Sequence, residues 1–180
     1  MFDRLRALPY QPDLRDRLPD FDFGDESYQS ELNLWLANES TGAIEKGTKV
    51  WLYLNQADVV VGFGSLGPSN WRYPDKSSGR TFVVIIPAVA VRREFWGKPD
   101  NANPEDRYSS QILQHLIDEA EAWPDEPPAV GLFVHPENKA AIKLYLRFRF
   151  APFHHSFTDP TTKVTYLSFV RAIVRSDSEQ

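Results

Sequence analysis

An apolar run with a proline inside it constrains the fold of this chain more than any other feature. Residues 82–91 are apolar at almost every position, which is typical of a strand that is buried on both faces of a sheet. Pro87 has no N–H group for a neighbouring strand, and a central strand does not tolerate that loss. We therefore expect strand pairing to stop at Pro87, either at a bulge or where two neighbouring strands splay apart.

Strand and helix patterns alternate on either side of this run. Gly42 and Gly47 are expected to end the first helix, and residues 67–70 to form a loop. The order β, α, β, β, β, α, β, α, β, β predicts an α/β (α+β) fold, with a mixed, mostly antiparallel central sheet of six to seven strands and helices on both faces. Besides the apolar run, we predict helices at residues 28–39, 108–123 and beginning at 136–138, and strands at residues 49–54, 58–66, 130–134, 150–153 and 163–170.

The composition limits the kinds of site that the chain can carry. It has 180 residues, of which 42% are hydrophobic and 25% charged, so we expect one domain over residues 1–175 and a disordered tail over 176–180. The absence of Cys excludes disulfides, thiol nucleophiles and Cys-ligated metals, and the four His lack metalloprotease spacing, so we predict no metal site. The sequence shows neither a signal peptide nor a bilayer-spanning run, and we expect a cytoplasmic protein without membrane contact.

Three separate segments form an ordered pattern. The first is the end of the apolar run at Val89, Ala90 and Val91, and the second is a helix start over residues 107–112. The third is a helix with matching residues at Asn138, Ala141 and Tyr145, followed by Arg149 and Phe150. In this order they resemble the GNAT superfamily of N-acetyltransferases. Its members have a Leu-Ala-Val type of strand, a Gln/Arg-x-x-Gly-x-Gly/Ala turn, and an Asn-x-x-Ala…Tyr helix that leads into Gly-Phe. The resemblance covers about residues 25–170 and includes segments 31–36 and 62–66.

This resemblance implies acetyl-CoA as the cofactor. Its pantetheine arm would pair with the exposed edge of the strand at Val89, Ala90 and Val91, where two parallel strands splay apart. A strand that stops pairing at this point tolerates Pro87, which has no N–H group to donate. Asn138 would bond to the cofactor arm, or serve only as an ordinary helix N-cap. The pyrophosphate would sit at a helix N-terminus, which offers unpaired N–H groups and a partial positive charge, held by Arg107, Ser109, Ser110, Gln111 and Ile112.

The resemblance also implies a set of catalytic roles. Tyr145 would be the general acid for the departing thiolate, since a phenol of pKa about 10 protonates a thiolate of pKa about 8.5 only modestly uphill. The backbone N–H of Val89 or Ala90 would hold the developing oxyanion. His135 would deprotonate the amine, directly or through water. The structural alternatives are a half-buried helix aromatic for Tyr145 and a polar loop residue for His135.

The chain departs from the family pattern in the phosphate turn and after the last helix. Ser110 and Ile112 stand where Gly and Gly/Ala are usual, and Arg149 stands where Gly is usual. A Cβ atom narrows the approach of a phosphate to the backbone, so either cofactor affinity is reduced or the turn is built differently. The hydroxyl of Ser110 would compensate, or Ser109 and Ser110 would only cap the helix.

The charge is distributed unevenly along the chain. The net charge of −5 argues against a generic nucleic-acid binder, but residues 138–175 contain seven basic residues and one acidic residue, Asp159. This basic part would receive the phosphates of coenzyme A or a nucleic acid, or form a solvated surface. Trp71, Arg72, Tyr73 and Trp96 lie on predicted loops that would flank the acceptor.

The leading functional hypothesis is N-acetyltransfer from acetyl-CoA to a primary amine of a small molecule or peptide. Without Cys there is no acetyl-cysteine intermediate, so we expect direct attack in a ternary complex. Segments 32–36 and 62–66 also resemble GNAT toxins that acetylate aminoacyl-tRNA, and charged tRNA is the one nucleic acid that we consider. A third alternative is a GNAT-like acyl-CoA-binding module without catalysis, which Ser110 and Ile112 favour. A homodimer is left open.

Overall fold

The computed structural model describes residues 4–18, 21–72, 79–100, 103–160 and 162–174. The strands in these ranges are β1 (Arg6–Pro9), β2 (Lys49–Leu54), β3 (Val60–Trp71), β4 (Thr81–Ile86), β5 (Val89–Val91), β6 (Ala129–Val134), β7 (Ala151–Thr158) and β8 (Thr165–Ala172). The α-helices are α1 (Ser27–Leu34), α2 (Ser40–Glu45), α3 (Tyr108–Glu121) and α4 (Lys139–Arg147). A π turn, Trp35–Glu39, joins α1 to α2, and 3-10 turns occupy Pro12–Arg17 and Arg93–Phe95.

The chain divides into two compact units. Unit 1 comprises residues 1–67 and 87–116, and unit 2 comprises residues 68–86 and 117–180. In unit 1, β2 pairs with β1 and β3, and β3 also pairs with β5, all antiparallel. In unit 2, β4 pairs with β6 in parallel, and β8 pairs with β6 and β7 in antiparallel fashion. The prediction of a mixed, mostly antiparallel sheet with helices is confirmed. The division of the chain at residue 175 stays a prediction, since the tail lies outside the described residues.

The apolar run over residues 82–91 forms two strands, which separate at Pro87. The parallel pairing of β4 with β6 ends at Ile86, opposite Leu132. After the proline, residues 89–91 pair instead with residues 62–64 of β3. Within the described ranges β5 has no second strand partner. The expected interruption at Pro87 is therefore confirmed, and it explains why the described residues form eight strands where six to seven were predicted.

The first helical region runs further than its glycines predicted. Its N-cap is Glu26 rather than a serine, and the Glu26 N–H donates to Gln29 Oε1 over 3.0 Å in a reciprocal capping box. The prediction that Gly42 ends the helix is wrong, because α2 continues to Glu45 and space around Gly42 is open. The chain leaves the helix at Gly47, whose φ of +92° is in the region that favours glycine.

The loop predicted at residues 67–70 is also wrong, because β3 continues through it to Trp71. Gly67 serves close packing instead of a turn, since a Cβ atom there would lie 2.4 Å from Thr48 Oγ1. Within unit 2, a Cβ atom on Gly131 would lie 2.5 Å from the ring of Trp71. Glycine at both positions therefore provides clearance, which the sequence pattern does not separate from a turn signal.

Candidate active site

The ladder between β5 and β3 uses alternate residues of β5. The Ala88 carbonyl accepts a bond from β3 over 2.9 Å, and the Arg92 N–H donates to β3 over 2.8 Å. Because antiparallel ladders alternate, the N–H and C=O of Ala90 also face β3. The N–H and C=O groups of Val89 and Val91 therefore face the other edge. This edge is the feature that the resemblance requires for the pantetheine arm.

Ser65 forms hydrogen bonds with the backbone next to Pro87. Its Oγ donates to the Ala88 carbonyl over 2.8 Å and accepts from the Ala88 N–H over 2.9 Å. Ser65 is completely buried, and its hydroxyl gives the Ala88 N–H a partner that it would otherwise lack. Gly62 lets β5 lie close to β3, since a Cβ atom there would be 2.1 Å from the Ala90 carbonyl oxygen.

Trp96 occupies one position on the open edge of β5. Its indole Nε1 donates to the Val91 carbonyl over 2.8 Å, while the side chain remains 47% exposed. The backbone groups that remain at this edge are the N–H and C=O of Val89 and the N–H of Val91. The sequence placed Trp96 on a loop but gave no signal for this bond, because a loop side chain reaches a strand through tertiary structure alone.

The first turn of α3 uses most of its own N–H groups. The Tyr108 N–H donates to the Lys98 carbonyl over 2.9 Å. The N–H groups of Ser110 and Gln111 both donate to the Arg107 carbonyl, over 2.9 and 3.0 Å. The Gln111 bond is the ordinary first bond of an α-helix, whereas the bonds of Tyr108 and Ser110 take up two of the donors that a helix N-terminus would otherwise offer to a phosphate.

The two side chains that replace family glycines in this turn point inward. Ser110 and Ile112 are fully buried, so their Cβ atoms do not stand on the solvent side of the helix. The Ser110 Oγ donates to the Pro104 carbonyl over 2.5 Å, and Gln111 Nε2 donates to the Asp106 carbonyl over 2.8 Å. The Ser110 hydroxyl therefore bonds to the loop that precedes α3.

The donor set fits acetyl-CoA more fully at the pantetheine end than at the pyrophosphate end. At β5, Val89 and Val91 present backbone groups in the spacing of a strand edge. At α3, the Ser109 N–H has no bond from the described residues, and the exposed Arg107 guanidinium adds a positive charge beside it. The residues of unit 1 that are expected to bind the cofactor thus lie in two places, the open edge of β5 and the N-terminus of α3.

Asn138 begins α4 as its N-cap. The Asn138 Oδ1 accepts from the Ala141 N–H over 3.1 Å, and this contact corresponds to the capping alternative of the sequence analysis. Its amide nitrogen is not used by this cap. A hydrogen bond from Asn138 to the cofactor arm is therefore compatible with capping.

Tyr145 lies on the buried face of α4. Its ring contacts those of Phe150 and Phe169, with centroid separations of 6.0 and 6.5 Å, and the side chain is 6% exposed. Burial raises the pKa of the Tyr145 phenol to about 12, because the charged form is penalised away from water. The phenol therefore stays protonated over the whole ordinary pH range and is always available as a hydrogen-bond donor.

Arg149 adopts the backbone conformation that the family's glycine would adopt. Its φ is +63°, and it follows the end of α4. The Phe150 N–H donates to the Tyr145 carbonyl and the Arg149 N–H to the Leu146 carbonyl, each over 3.0 Å. These two bonds form a Schellman cap, in which a left-handed residue is required. The geometry of the helix end is thus kept although the glycine is absent.

His135 lies between β6 and α4. Its Nδ1 accepts from the Glu137 N–H over 3.2 Å, and its ring meets Tyr166 edge-on at 5.8 Å. A neutral imidazole that accepts at Nδ1 carries its proton on Nε2, so neither nitrogen has a lone pair left for a substrate amine. A base role for His135 requires this contact to open.

The expected site residues form two groups, each inside its own unit. Unit 1 contains the strand edge of β5 and the first turn of α3, and unit 2 contains His135, Asn138 and Tyr145. Tyr73 lies outside the described residues. Across the described ranges, no three His, Asp or Glu side chains are grouped so that they could hold a metal ion. None of the described helices has the length and apolar character needed to cross a membrane.

Comparisons with known proteins agree with this geometry. The model of the acetyltransferase (GNAT) family matches residues 11–150. No curated protein matches the chain in sequence. A mutant AtaT toxin bound to the C-terminus of the antitoxin AtaR and acetyl-CoA is similar in structure, with a TM-score of 0.63 and 14% identity over 95% of this chain and 94% of that one.

Two further structures show the same fold. AtaT complexed with acetyl-methionyl-tRNAfMet has a TM-score of 0.61 and 16% identity, covering 91% of this chain and 93% of that one. Arabidopsis thaliana NAA60 in complex with acetyl-CoA has a TM-score of 0.60 and 18% identity, covering 94% and 98%. Since the family model covers more than half of the sequence and the fold agrees, the chain belongs to the GNAT family of acetyltransferases, whose acetyl donor is acetyl-CoA.

Proposed function

We propose that this protein transfers the acetyl group of acetyl-CoA to a primary amine of a small molecule or peptide by direct attack in a ternary complex, in the cytoplasm. The observation that carries the proposal is the open edge of β5, where backbone groups of Val89 and Val91 lack a strand partner among the described residues. An unpaired strand edge is a template for an extended, amide-containing ligand. Acetyl-CoA, when bound, would supply the thioester carbonyl that the amine attacks, and coenzyme A would leave as a thiolate when the C–S bond breaks.

The Val89 N–H is the better of the two oxyanion donors considered from the sequence. Ala90 directs its N–H toward β3 in the alternation of the ladder, whereas Val89 directs its N–H to the open edge. A fixed backbone N–H at the position where negative charge develops needs no reorganisation during the reaction. We therefore assign the oxyanion contact to Val89.

Tyr145 would act on the departing thiolate. With a pKa of about 12, full proton transfer to a thiolate is less favourable than for an unperturbed phenol. We therefore propose that Tyr145 stabilises the thiolate mainly through a short hydrogen bond, with the proton delivered as the thiol leaves.

The amine must be neutral when it attacks. Because the Nδ1 of His135 accepts the Glu137 N–H, we propose that His135 takes the amine's proton through water only after this contact opens. Replacement of His135 by Gln keeps a polar side chain and removes the imidazole. We expect this variant to lower kcat with the KM for acetyl-CoA unchanged, and an unchanged kcat would rule out the base role.

The experiment that tests the proposal is steady-state acetylation of an amine panel by the parent protein and by Tyr145→Phe. We expect Tyr145→Phe to lower kcat by about 100-fold or more, the usual range for loss of an acid–base group, with acetyl-CoA binding unchanged. Tyr10→Phe is the matched control, since the buried Tyr10 hydroxyl has no hydrogen-bond partner in the described part of the chain. Full activity of Tyr145→Phe would rule out its acid role.

The second candidate acceptor is the amino group of aminoacyl-tRNA. It is supported by the similarity in fold to AtaT complexed with acetyl-methionyl-tRNAfMet and by the excess of basic residues over 138–175. Charged tRNA belongs in the amine panel for this reason. Turnover with tRNA alone would favour this acceptor over small amines and peptides. Acetyl-CoA binding without turnover of any amine would favour the third alternative, a binding module without catalysis.

A further inference from the structure

A groove of about 380 Å³ opens on unit 2. It is formed where β3 ends, β4 begins and β7 passes beside them, and its size is that of a small-ligand site. The residues that matter for its chemistry are Trp71, Arg72, Arg80, Phe133, Ser156 and Phe157.

Two arginines give the groove a positive charge. Arg72 directly follows β3 and Arg80 directly precedes β4, and both residues line the groove. Both side chains are exposed, and neither has an ion pair or hydrogen bond with another described residue. None of the described residues lining the groove is acidic. An anion would therefore meet two planar donors and no carboxylate from the described lining.

The groove is also lined by a row of aromatic rings. The ring centroids of Trp71 and Phe133 are 5.3 Å apart, and those of Phe133 and Phe157 are 5.7 Å apart. Phe157 is 46% exposed, whereas Trp71 is 6% exposed and supports the row from beneath. An exposed ring on a packed aromatic row is a rigid platform for a second flat ring. Ser156 adds a hydroxyl beside Phe157.

From this juxtaposition we infer that the groove binds one nucleotide unit of a single-stranded nucleic acid. The phosphate lies between Arg72 and Arg80, and the base stacks on Phe157. Guanidinium groups bind phosphate through paired N–H donors, and base stacking on aromatic side chains is tolerant of sequence. Arg72, Arg80, Ser156 and Phe157 are exposed, so the groove is open to solvent along these residues.

The inference does not depend on acetyl transfer, because binding is measured without an acetyl donor. The experiment is a fluorescence-anisotropy titration of the full-length protein with a labelled CCA ribotrinucleotide. Arg72→Ala, Arg80→Ala and Phe157→Ala are compared with Lys46→Ala and Leu146→Ala, which remove an exposed cation of unit 1 and an exposed apolar side chain on α4, both outside the groove.

We expect each arginine variant to weaken binding by about tenfold or more and to reduce the salt dependence by about one phosphate contact. Phe157→Ala is expected to weaken binding by about fivefold or more, the lower end for a stacked base. The Lys46 and Leu146 controls should bind as the parent does. Thermal unfolding of every variant confirms that the exposed positions have been changed without loss of the fold.

Three results would overturn the inference. One is equal binding by the groove variants and the Lys46 and Leu146 controls. The second is a pair of results: inorganic phosphate competes as strongly as unlabelled trinucleotide, and Phe157→Ala binds the labelled trinucleotide as tightly as the parent does. The groove would then bind the phosphate without contacting the base. The third is binding of 3′,5′-ADP and trinucleotide that is lost in Arg107→Ala and kept in Arg80→Ala, since the nucleotide would then belong to the coenzyme site.

Discussion

The start of α3 and the end of α4 have both lost glycines of the family pattern, and they respond in different ways. At the end of α4, Arg149 keeps the left-handed conformation, with a φ of +63°. At the start of α3, Ser110 and Ile112 have ordinary helical backbone, and their side chains are buried in the protein. One site preserves the glycine's geometry with a strained residue, and the other uses the new side chains for packing.

The difference follows from what glycine provides at each site. After α4 it provides a conformation, which the Schellman cap requires whatever residue is present. In the turn of α3 it provides clearance for a phosphate, and clearance is lost only if the Cβ atom faces the ligand. Because Ser110 and Ile112 face inward, we expect the N–H groups of Tyr108 and Ser110, which are already bonded, to limit the proposed phosphate site more than the Cβ atoms do.

The largest expected effect concerns Tyr145, which immediately precedes the preserved helix end. Its pKa is raised from 10.0 to about 12 in the folded protein, so it binds its proton more tightly when folded. Its contribution to stability is complete below pH 10 and is lost as the pH rises through 12. Between pH 9 and 12 the free energy of unfolding of the parent should fall by about 2 kcal/mol more than that of Tyr145→Phe, which lacks the phenol; urea unfolding measures this difference. Parallel pH profiles of parent and variant would contradict the burial of the phenol.

Ser110→Gly tests whether the inward serine is structural. The variant loses the buried bond to the Pro104 carbonyl and some helix propensity, so we expect a loss of about 2 kcal/mol in the free energy of unfolding. Ser109→Gly, in the same turn, should lose about half as much. Acetyl-CoA affinity, measured by calorimetry, should not increase. Tighter binding by Ser110→Gly would mean that the Cβ atom does narrow the phosphate approach.

Arg107→Ala tests the charge at the same helix start. We expect about tenfold weaker binding of acetyl-CoA in calorimetry, since one charge-assisted contact to the pyrophosphate is lost. Lys46→Ala, which removes another exposed cation of unit 1, should bind as the parent does. Unchanged affinity in Arg107→Ala would place the pyrophosphate elsewhere.

Arg149→Gly should produce the opposite change in stability from Ser110→Gly. A residue in the left-handed region is disfavoured unless it is glycine, so we expect the variant to gain about 1 kcal/mol in thermal or urea unfolding. Arg147→Gly, within α4, should instead be destabilised by about 0.5–1 kcal/mol, since glycine weakens a helix. A loss of stability in Arg149→Gly would indicate that the Arg149 side chain makes a contact that outweighs the strain.

Much of the fold could be predicted from the sequence because its signals are local. The helical spacing around Tyr145 and the apolar pattern of β2, β6 and β8 depend on residues near one another in the chain. The prediction was wrong at Gly42 and over residues 67–70. At Gly42 the helix continues with open space beside it, and over 67–70 the ladder and the contact of Gly67 with Thr48 outweigh local turn preference.

The sequence by itself determined the ordered pattern of the family, the break at Pro87 and the place of Tyr145 on a helix, because each depends on residue type and short spacing. Only the tertiary structure decided which strand each half of the broken run joins, and that Val89 rather than Ala90 directs its N–H to the open edge. It also decided that Ser110 faces inward. Strand partners and side-chain burial depend on residues far apart in the chain, and no local pattern encodes them.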